Sequence, residues 1–433
     1  MKFIFWLEER RLNQFLAYFV APICLMIYYR QGGIVDGFDP NNSLRDLGVL
    51  TRAGDSVIHG FSPYNDDGHW MKYGTIVSIP YGILGIILNA KILFVFSQIF
   101  NLAGVWFFIK IFFKFNPIKL SQIYLLTIAT SAFREIFVDA QVMGHIAGFI
   151  ALGKYLLDKE KEGWAGKILH FLGITSLVLA ADLKPNLTLF LVIAVLTERS
   201  WKTRIFYFSI QYAIFYLILS LYIKRPIFFD WLNVLRWTSS LDNTKDIWGS
   251  VSIWQTLNNN EFLFANINIF APLLYLFVGS SGLFIFHKRQ KGLGFALICV
   301  APFFYSFFQY YSYTLISLFI VILSIYIRNS YFSGLILSMI IVFTEISTFT
   351  NVLIVISICA FTILFIRNEI GITKNLYFIG GVLTSLAIKI TIMRLPLDIV
   401  DKKSLILIFV TLTYLLLFAR EFSKNKELES CFR

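Results

Sequence analysis

Gly74-Thr-Ile-Val-Ser-Ile-Pro80-Tyr-Gly82-Ile-Leu-Gly85-Ile-Ile-Leu88 is the stretch whose reading decides the fold. It is apolar enough to enter a membrane, yet it is shorter than the ~20 residues that cross a bilayer core. It also carries Pro80, Gly82 and Gly85, which weaken a helix. If it crossed, every basic turn that follows would fall on the outer side. If it lies at the outer interface or re-enters from it, the cytoplasm receives Lys114/Lys119, Lys154–Lys167, Arg199–Arg204, His287–Lys291, Arg328, Arg367/Lys374 and the tail from Arg420. The second threading satisfies the positive-inside rule almost throughout. We read residues 74–88 as an outer interfacial or re-entrant segment.

The composition agrees. Of 433 residues, 57% are hydrophobic, 18% aromatic and 15% charged, whereas soluble chains carry roughly a quarter charged residues. The expected class is an all-α polytopic membrane protein, one integral unit over residues 1–433 with about thirteen or fourteen spans. The first span covers residues 12–30 and is read as a retained helix, because Lys2, Arg10 and Arg11 precede it but no small-residue cleavage site follows. The net charge of +12 sits in short clusters between apolar runs, which orients helices and does not suggest nucleic acid. Cys24, Cys299, Cys359 and Cys431 are scattered, with no metal or disulfide spacing. The large outer connections are 31–90 and 224–262, with smaller ones near Arg134–Gln141, Asp182–Pro185, Gln309–Tyr311 and Met393–Lys403.

Within the first outer loop, residues 44–58 have helical amphipathicity. Leu44, Leu47, Leu50, Gly54, Val57 and Ile58 share one face, opposite Arg45, Arg52, Ser56 and His59. Such a helix would lie in the interface with its apolar face down. Gly60 ends it, and Ser62-Pro-Tyr-Asn-Asp-Asp-Gly68 is a turn-rich exit. Two readings stand for Asp46: an acid in the variant capping box Ser43-Leu-Arg-Asp46, or a general base. Asp55, Asp66 and Asp67 read as solvated loop charges, and Asp36 and Asp39 as weaker catalytic candidates.

Other polar groups gather on the same side. Lys184 lies in Ala-Ala-Asp182-Leu-Lys184-Pro185-Asn186 at the end of a helical hairpin, where Pro185 can start the returning helix. It is a phosphate-neutralising cation, a partner for Asp182 or a snorkelling side chain. Arg134-Glu135 and Asp139-Ala-Gln141 form a further polar turn; Gln141 suits a hydroxyl-rich ligand or is a helix-end amide. Residues 224–262 bring Lys224, Arg225, Arg236, Lys245 and Trp231, Trp237, Trp248 and Trp254. Aromatic rings there suit sugars and interfacial headgroups alike. No Gly-rich phosphate loop, HExxH or GxSxG is present, so ATP hydrolysis and zinc proteolysis are set aside.

The ordered set resembles a known family. Asp46, then Gly54-Asp55, His59-Gly60, Ser62-Pro63-Tyr64 and Tyr73-Gly-Thr-Ile-Val-Ser-Ile-Pro80 look like the start of glycosyltransferase family 87, membrane enzymes of the GT-C type. Asp139-Ala-Gln141 is similar to the family's Gly-Gln-Val-Asn motif, and Leu179-Ala-Ala-Asp-Leu-Lys184-Pro185 to its Lys-Pro helix end. Ala301-Pro302-Phe-Phe-Tyr-Ser-Phe-Phe-Gln-Tyr310-Tyr311 is similar to its Ser-Pro-x-Ser-Trp-x-His-His segment. The resemblance covers residues 12–325. Ala140, Met143 and Gly74 depart from the motifs, and Tyr310 and Tyr311 stand where the family commonly has histidines.

The resemblance implies a GT-C fold and transfer of a hexose, mannose in the typical members, from a polyprenyl-phosphate donor to a lipid-linked or envelope glycan. Because the leaving group is a phosphate, one carboxylate to deprotonate the acceptor suffices for an inverting displacement. Asp46 is the implied base. Lys184 with Arg52, Arg134 or Arg225 is the implied phosphate clamp; Gln141, Tyr64, Tyr310 and Tyr311 are the remaining implied substrate contacts. No cofactor or metal is required. The expected location is a bacterial inner or plasma membrane, with membrane lipids around the chain and the site facing the periplasm or exterior. A lipid-linked glycan transporter remains as a rival, kept alive by Glu345 and Lys389 in or near apolar runs; a polysaccharide polymerase or ligase is the other.

Overall fold

The computed structural model describes residues 45–64, 73–130, 141–159, 163–238, 267–288, 290–305, 314–326 and 372–395, together with positions 17, 18, 22, 133, 136, 408 and 411. All regular structure among the described residues is helical, as the composition predicted. The helices are α1 (Arg45–Ile58), α2 (Thr75–Ile87), α3 (Ala90–Phe112), α4 (Pro117–Ile128), α5 (Met143–Asp158), α6 (Trp164–Leu183) and α7 (Pro185–Thr197). They continue with α8 (Trp201–Ile223), α9 (Ile227–Thr238), α10 (Ile267–His287), α11 (Lys291–Val300), α12 (Thr314–Tyr326) and α13 (Ile372–Met393). Four of them, α3, α6, α8 and α10, are long and apolar enough to cross a membrane. The expected first span at 12–30 lies almost wholly outside the described residues, although the Tyr18 hydroxyl and Ser121 Oγ of α4 stand 2.5 Å apart.

Alternating helix directions give the bundle two distinct ends. At one, Lys154 of α5 pairs with Glu198 and with Asp158, and Lys291 at the start of α11 reaches Glu198 at 3.4 Å. Arg204 near the start of α8 donates to the Leu157 carbonyl at 2.9 Å, and the His287 ring meets Thr197 Oγ1 at 2.9 Å. Beneath this layer, Phe108, Phe112, Phe113, Phe295 and Phe319 interlock α3, α11 and α12. The opposite end is built around Asp182. Between the ends, α8 turns an apolar stripe outward: Phe206, Leu217 and Leu221 are 60%, 59% and 70% exposed. Burial of apolar surface ordinarily excludes such a stripe from water.

Residues 74–88, on which the topology turned, form the short helix α2, about 20 Å long at 1.5 Å per residue. It crosses the ends of neighbouring helices. The Tyr81 hydroxyl meets His145 Nδ1 at the start of α5, and His145 Nε2 reaches the Ser97 carbonyl of α3 at 2.9 Å. One turn earlier, the Val77 N–H donates to Asp182 Oδ2 of α6 at 2.9 Å. The amphipathic helix expected over 44–58 is α1, ended by Gly60 at φ +80°. Its apolar face is not left for lipid. Leu47, Leu50, Ala53 and Val57 are buried, because α2 lies antiparallel against it. Gly54 and Gly82 face each other so closely that a Cβ on either would overlap the other helix's backbone, the close approach that small residues permit between helices.

Candidate functional site

The first outer loop and the turn before Pro185 interlock through Asp182. Gly74, the N-cap of α2, has no side chain to offer, so the helix needs acceptors from elsewhere. Asp182 supplies them. Its carbonyl accepts from the Gly74 N–H at 2.7 Å and its carboxyl accepts from the N–H groups of Val77 and Ile76. The Tyr216 hydroxyl donates to Oδ1 at 2.6 Å and the Tyr212 hydroxyl to the same oxygen at 3.2 Å. A Cβ on Gly74 would overlap this carboxyl, which explains the glycine there. Asp182 is 0% exposed. Its acceptor capacity is used in holding α2 to α6 and α8, so it is a cap supplied across the bundle and not a base open to substrate.

Around this hub lie three of the sequence candidates or their neighbours. The Tyr64 hydroxyl donates to the Tyr73 carbonyl at 2.9 Å and accepts from Thr75 Oγ1 at 3.0 Å. Burial raises Tyr64 well above the ordinary tyrosine pKa, and the carboxylates of Asp182 and Asp230 add to the shift; the hydroxyl therefore stays a donor. Lys184, half-buried, carries its ammonium 5.8 Å from the centre of the Tyr73 ring, a cation–π distance. Pro185 begins α7 as the sequence predicted. From α8 and α9, Tyr216 stacks on Trp231 at 5.9 Å, and the Tyr222 hydroxyl donates to the Ile58 carbonyl at the end of α1. The end of α8 thus closes on the end of α1.

Gln141 is buried, with its backbone carbonyl accepting from Asn101 Nδ2 at 2.8 Å. Its side-chain Oε1 is shut away without a hydrogen-bond partner among the described residues. Asn101 Oδ1 accepts from the Gly144 N–H at 2.9 Å and so caps α5, whose own N-cap Val142 makes no side-chain bond. Asn101 does for α5 what Asp182 does for α2.

The antiparallel α1–α2 pairing divides the expected constellation. Thr51 faces Gly85 and Gly54 faces Gly82, so the first turn of α1, which holds Asp46, lies toward the C-terminal end of α2. Gly74, Tyr64 and Lys184 lie toward its N-terminal end. At 1.5 Å per residue, Asp46 and Gly74 are each about 12 Å from the Gly54–Gly82 crossing, in opposite directions. One hexose does not touch both Asp46 and Lys184. The Asp46 side chain, residues 43 and 44, Arg134, Tyr310 and Tyr311 lie outside the described residues. Arg52 and Arg225 are exposed. Reasoning from sequence named Asp182 only as a partner for Lys184 and missed Asp230 of α9. An acid beside Trp231, at the edge of the apolar face Ile227–Trp231–Val234, was the available signal for the latter.

The class these features define is an all-helical protein with four helices long and apolar enough to cross a membrane, and with its polar connections tied together at one end. The chain matches no protein-family model, no curated protein and no solved structure. No cluster of three or more metal-ligating side chains occurs among the described residues.

Proposed function

We propose that this chain is a multi-pass membrane glycosyltransferase of GT-C type that moves a hexose, mannose first among candidates, from a polyprenyl-phosphate donor to a lipid-linked or envelope glycan. The observation that carries this reading is the junction of the first outer loop with the Lys184–Pro185 turn. Tyr64, Tyr73, Lys184 and Trp231 meet there through Asp182, at one end of a bundle whose sides are apolar. A cation, hydroxyls and aromatic faces beside a membrane suit the hydroxyls and anionic groups of a lipid-linked glycan acceptor.

In the reaction, the acceptor hydroxyl oxygen bonds to the anomeric carbon as the carbon–oxygen bond to phosphate breaks. Polyprenyl phosphate departs with the bonding pair, and the hydroxyl proton passes to Asp46. Because Asp46 and Lys184 stand at opposite ends of the α1–α2 hairpin, their roles divide: the donor reacts at the Asp46 end, and the acceptor glycan extends along the hairpin toward Lys184. This replaces the single phosphate clamp expected from sequence. The buried Asn101 amide caps α5, and the buried Gln98 amide donates to the Ile136 carbonyl at 3.4 Å.

Purified protein given radiolabelled polyprenyl-phosphate-mannose and a crude lipid acceptor pool should transfer label. A polyprenyl-diphosphate sugar should not replace the donor. Transfer only from the diphosphate would instead indicate a polymerase or ligase, and lipid translocation without transfer would indicate a transporter.

A further inference from the structure

Asp230 is the acid in the first turn of α9. A carboxylate there normally faces water and interacts with the helix dipole. This one sits at the edge of the buried face formed by Ile227, Trp231 and Val234, and is itself partly buried. Its Oδ2 is closed off from solvent and has no hydrogen-bond partner among the described residues. Buried polar atoms are nearly always paired, and an unpaired carboxylate oxygen destabilises a fold. A ligand hydroxyl would supply the missing donor.

The surroundings define that ligand. Tyr64 feels the charge of Asp230 together with that of Asp182, so the unpaired oxygen belongs to the same end of the bundle. Tyr64 is bonded to Tyr73, over whose ring Lys184 lies. The residue after Asp230, Trp231, stacks on Tyr216, the closest donor to Asp182. A carboxylate acceptor, a hydroxyl, aromatic faces and one cation together fit a polyhydroxylated ligand bearing an anionic group.

We propose that Asp230 Oδ2 accepts a hydrogen bond from a sugar hydroxyl of the bound substrate, so that Asp230, Tyr64 and Lys184 form a carbohydrate subsite. This rests on the glycosyltransferase reading and extends it with a second ligand-contacting carboxylate, at the far end of the hairpin from Asp46. The hydroxyl belongs to the glycan acceptor, because the donor sugar reacts at the Asp46 end.

Binding to purified wild type and Asp230→Asn is measured with three probes: α-mannotriose, undecaprenyl-phosphate-mannose and undecaprenyl phosphate. Asp230→Asn should weaken binding of α-mannotriose by roughly tenfold or more, as loss of a hydrogen bond to a charged group does, and leave undecaprenyl phosphate unchanged. Loss on mannotriose is the expected result; loss confined to undecaprenyl-phosphate-mannose would overturn the acceptor subsite. Equal binding of both sugar probes by wild type and variant overturns the subsite and leaves the glycosyltransferase reading standing. Failure of wild type to bind any of the three overturns both. Without ligand, Asp230→Asn should melt at or above the wild-type temperature, because an unpaired buried charge is removed. A clear fall would reveal a structural partner for Asp230 and overturn the proposal independently of any ligand.

Discussion

At the residue scale, the decisive group is Asp182. It was legible only as a neighbour of Lys184, yet its carboxyl turns toward residues 105 positions earlier in the chain. No local pattern encodes that choice: Gly74 lacks a capping side chain, and the acceptor comes from another helix. Asp182→Ala should lower stability by roughly 2–4 kcal/mol, because two tyrosine hydroxyls and the first turn of α2 lose their acceptor. Tyr216→Phe removes one donor and should cost about 1–2 kcal/mol. Gly74→Ala forces a methyl into the carboxyl and should cost about 1–3 kcal/mol. Thermal unfolding of the purified protein measures all three, and unchanged midpoints would remove Asp182 from the centre of the fold.

At the element scale, α1 was readable because its apolar positions recur at helical spacing and Gly60 supplies a left-handed stop. What covers that apolar face was not readable. A membrane interface and a partner helix demand the same periodicity, and only the facing glycines Gly54 and Gly82 distinguish them. The short, Pro- and Gly-containing α2, expected to be an interfacial or re-entrant segment, lies as a strap against the start of α5 and the end of α6. Gly82→Val should drive α1 from α2 at a cost of about 1–3 kcal/mol or more, read as faster proteolysis of the 59–74 connection. Unaltered proteolysis would contradict the close crossing. The borrowed caps of α2 and α5 explain why Asn101 and Asp182 are buried in helices otherwise apolar.

At the scale of the whole molecule, the charge pattern and the packing agree on two ends. Lys154, Glu198, Arg204 and Lys291 meet at one, while Asp182, Tyr64 and Trp231 meet at the other. With the chain in a membrane, cysteines placed at Ser200 and Gln290 should react with an impermeant thiol reagent from the cytoplasmic side alone. One placed at Lys224 should react from the opposite side alone. Labelling of all three from a single side would refute the threading. The central claim concerns chemistry at the Lys224 side. It is tested most directly by single-turnover transfer from polyprenyl-phosphate-mannose, comparing wild type with Asp46→Asn at matched folding and membrane insertion. The account predicts transfer by wild type and loss of at least about 100-fold in the variant, as expected when a general base contributes about 10²–10⁴-fold and its position can no longer accept a proton. Full transfer by Asp46→Asn, or none by wild type, would contradict it.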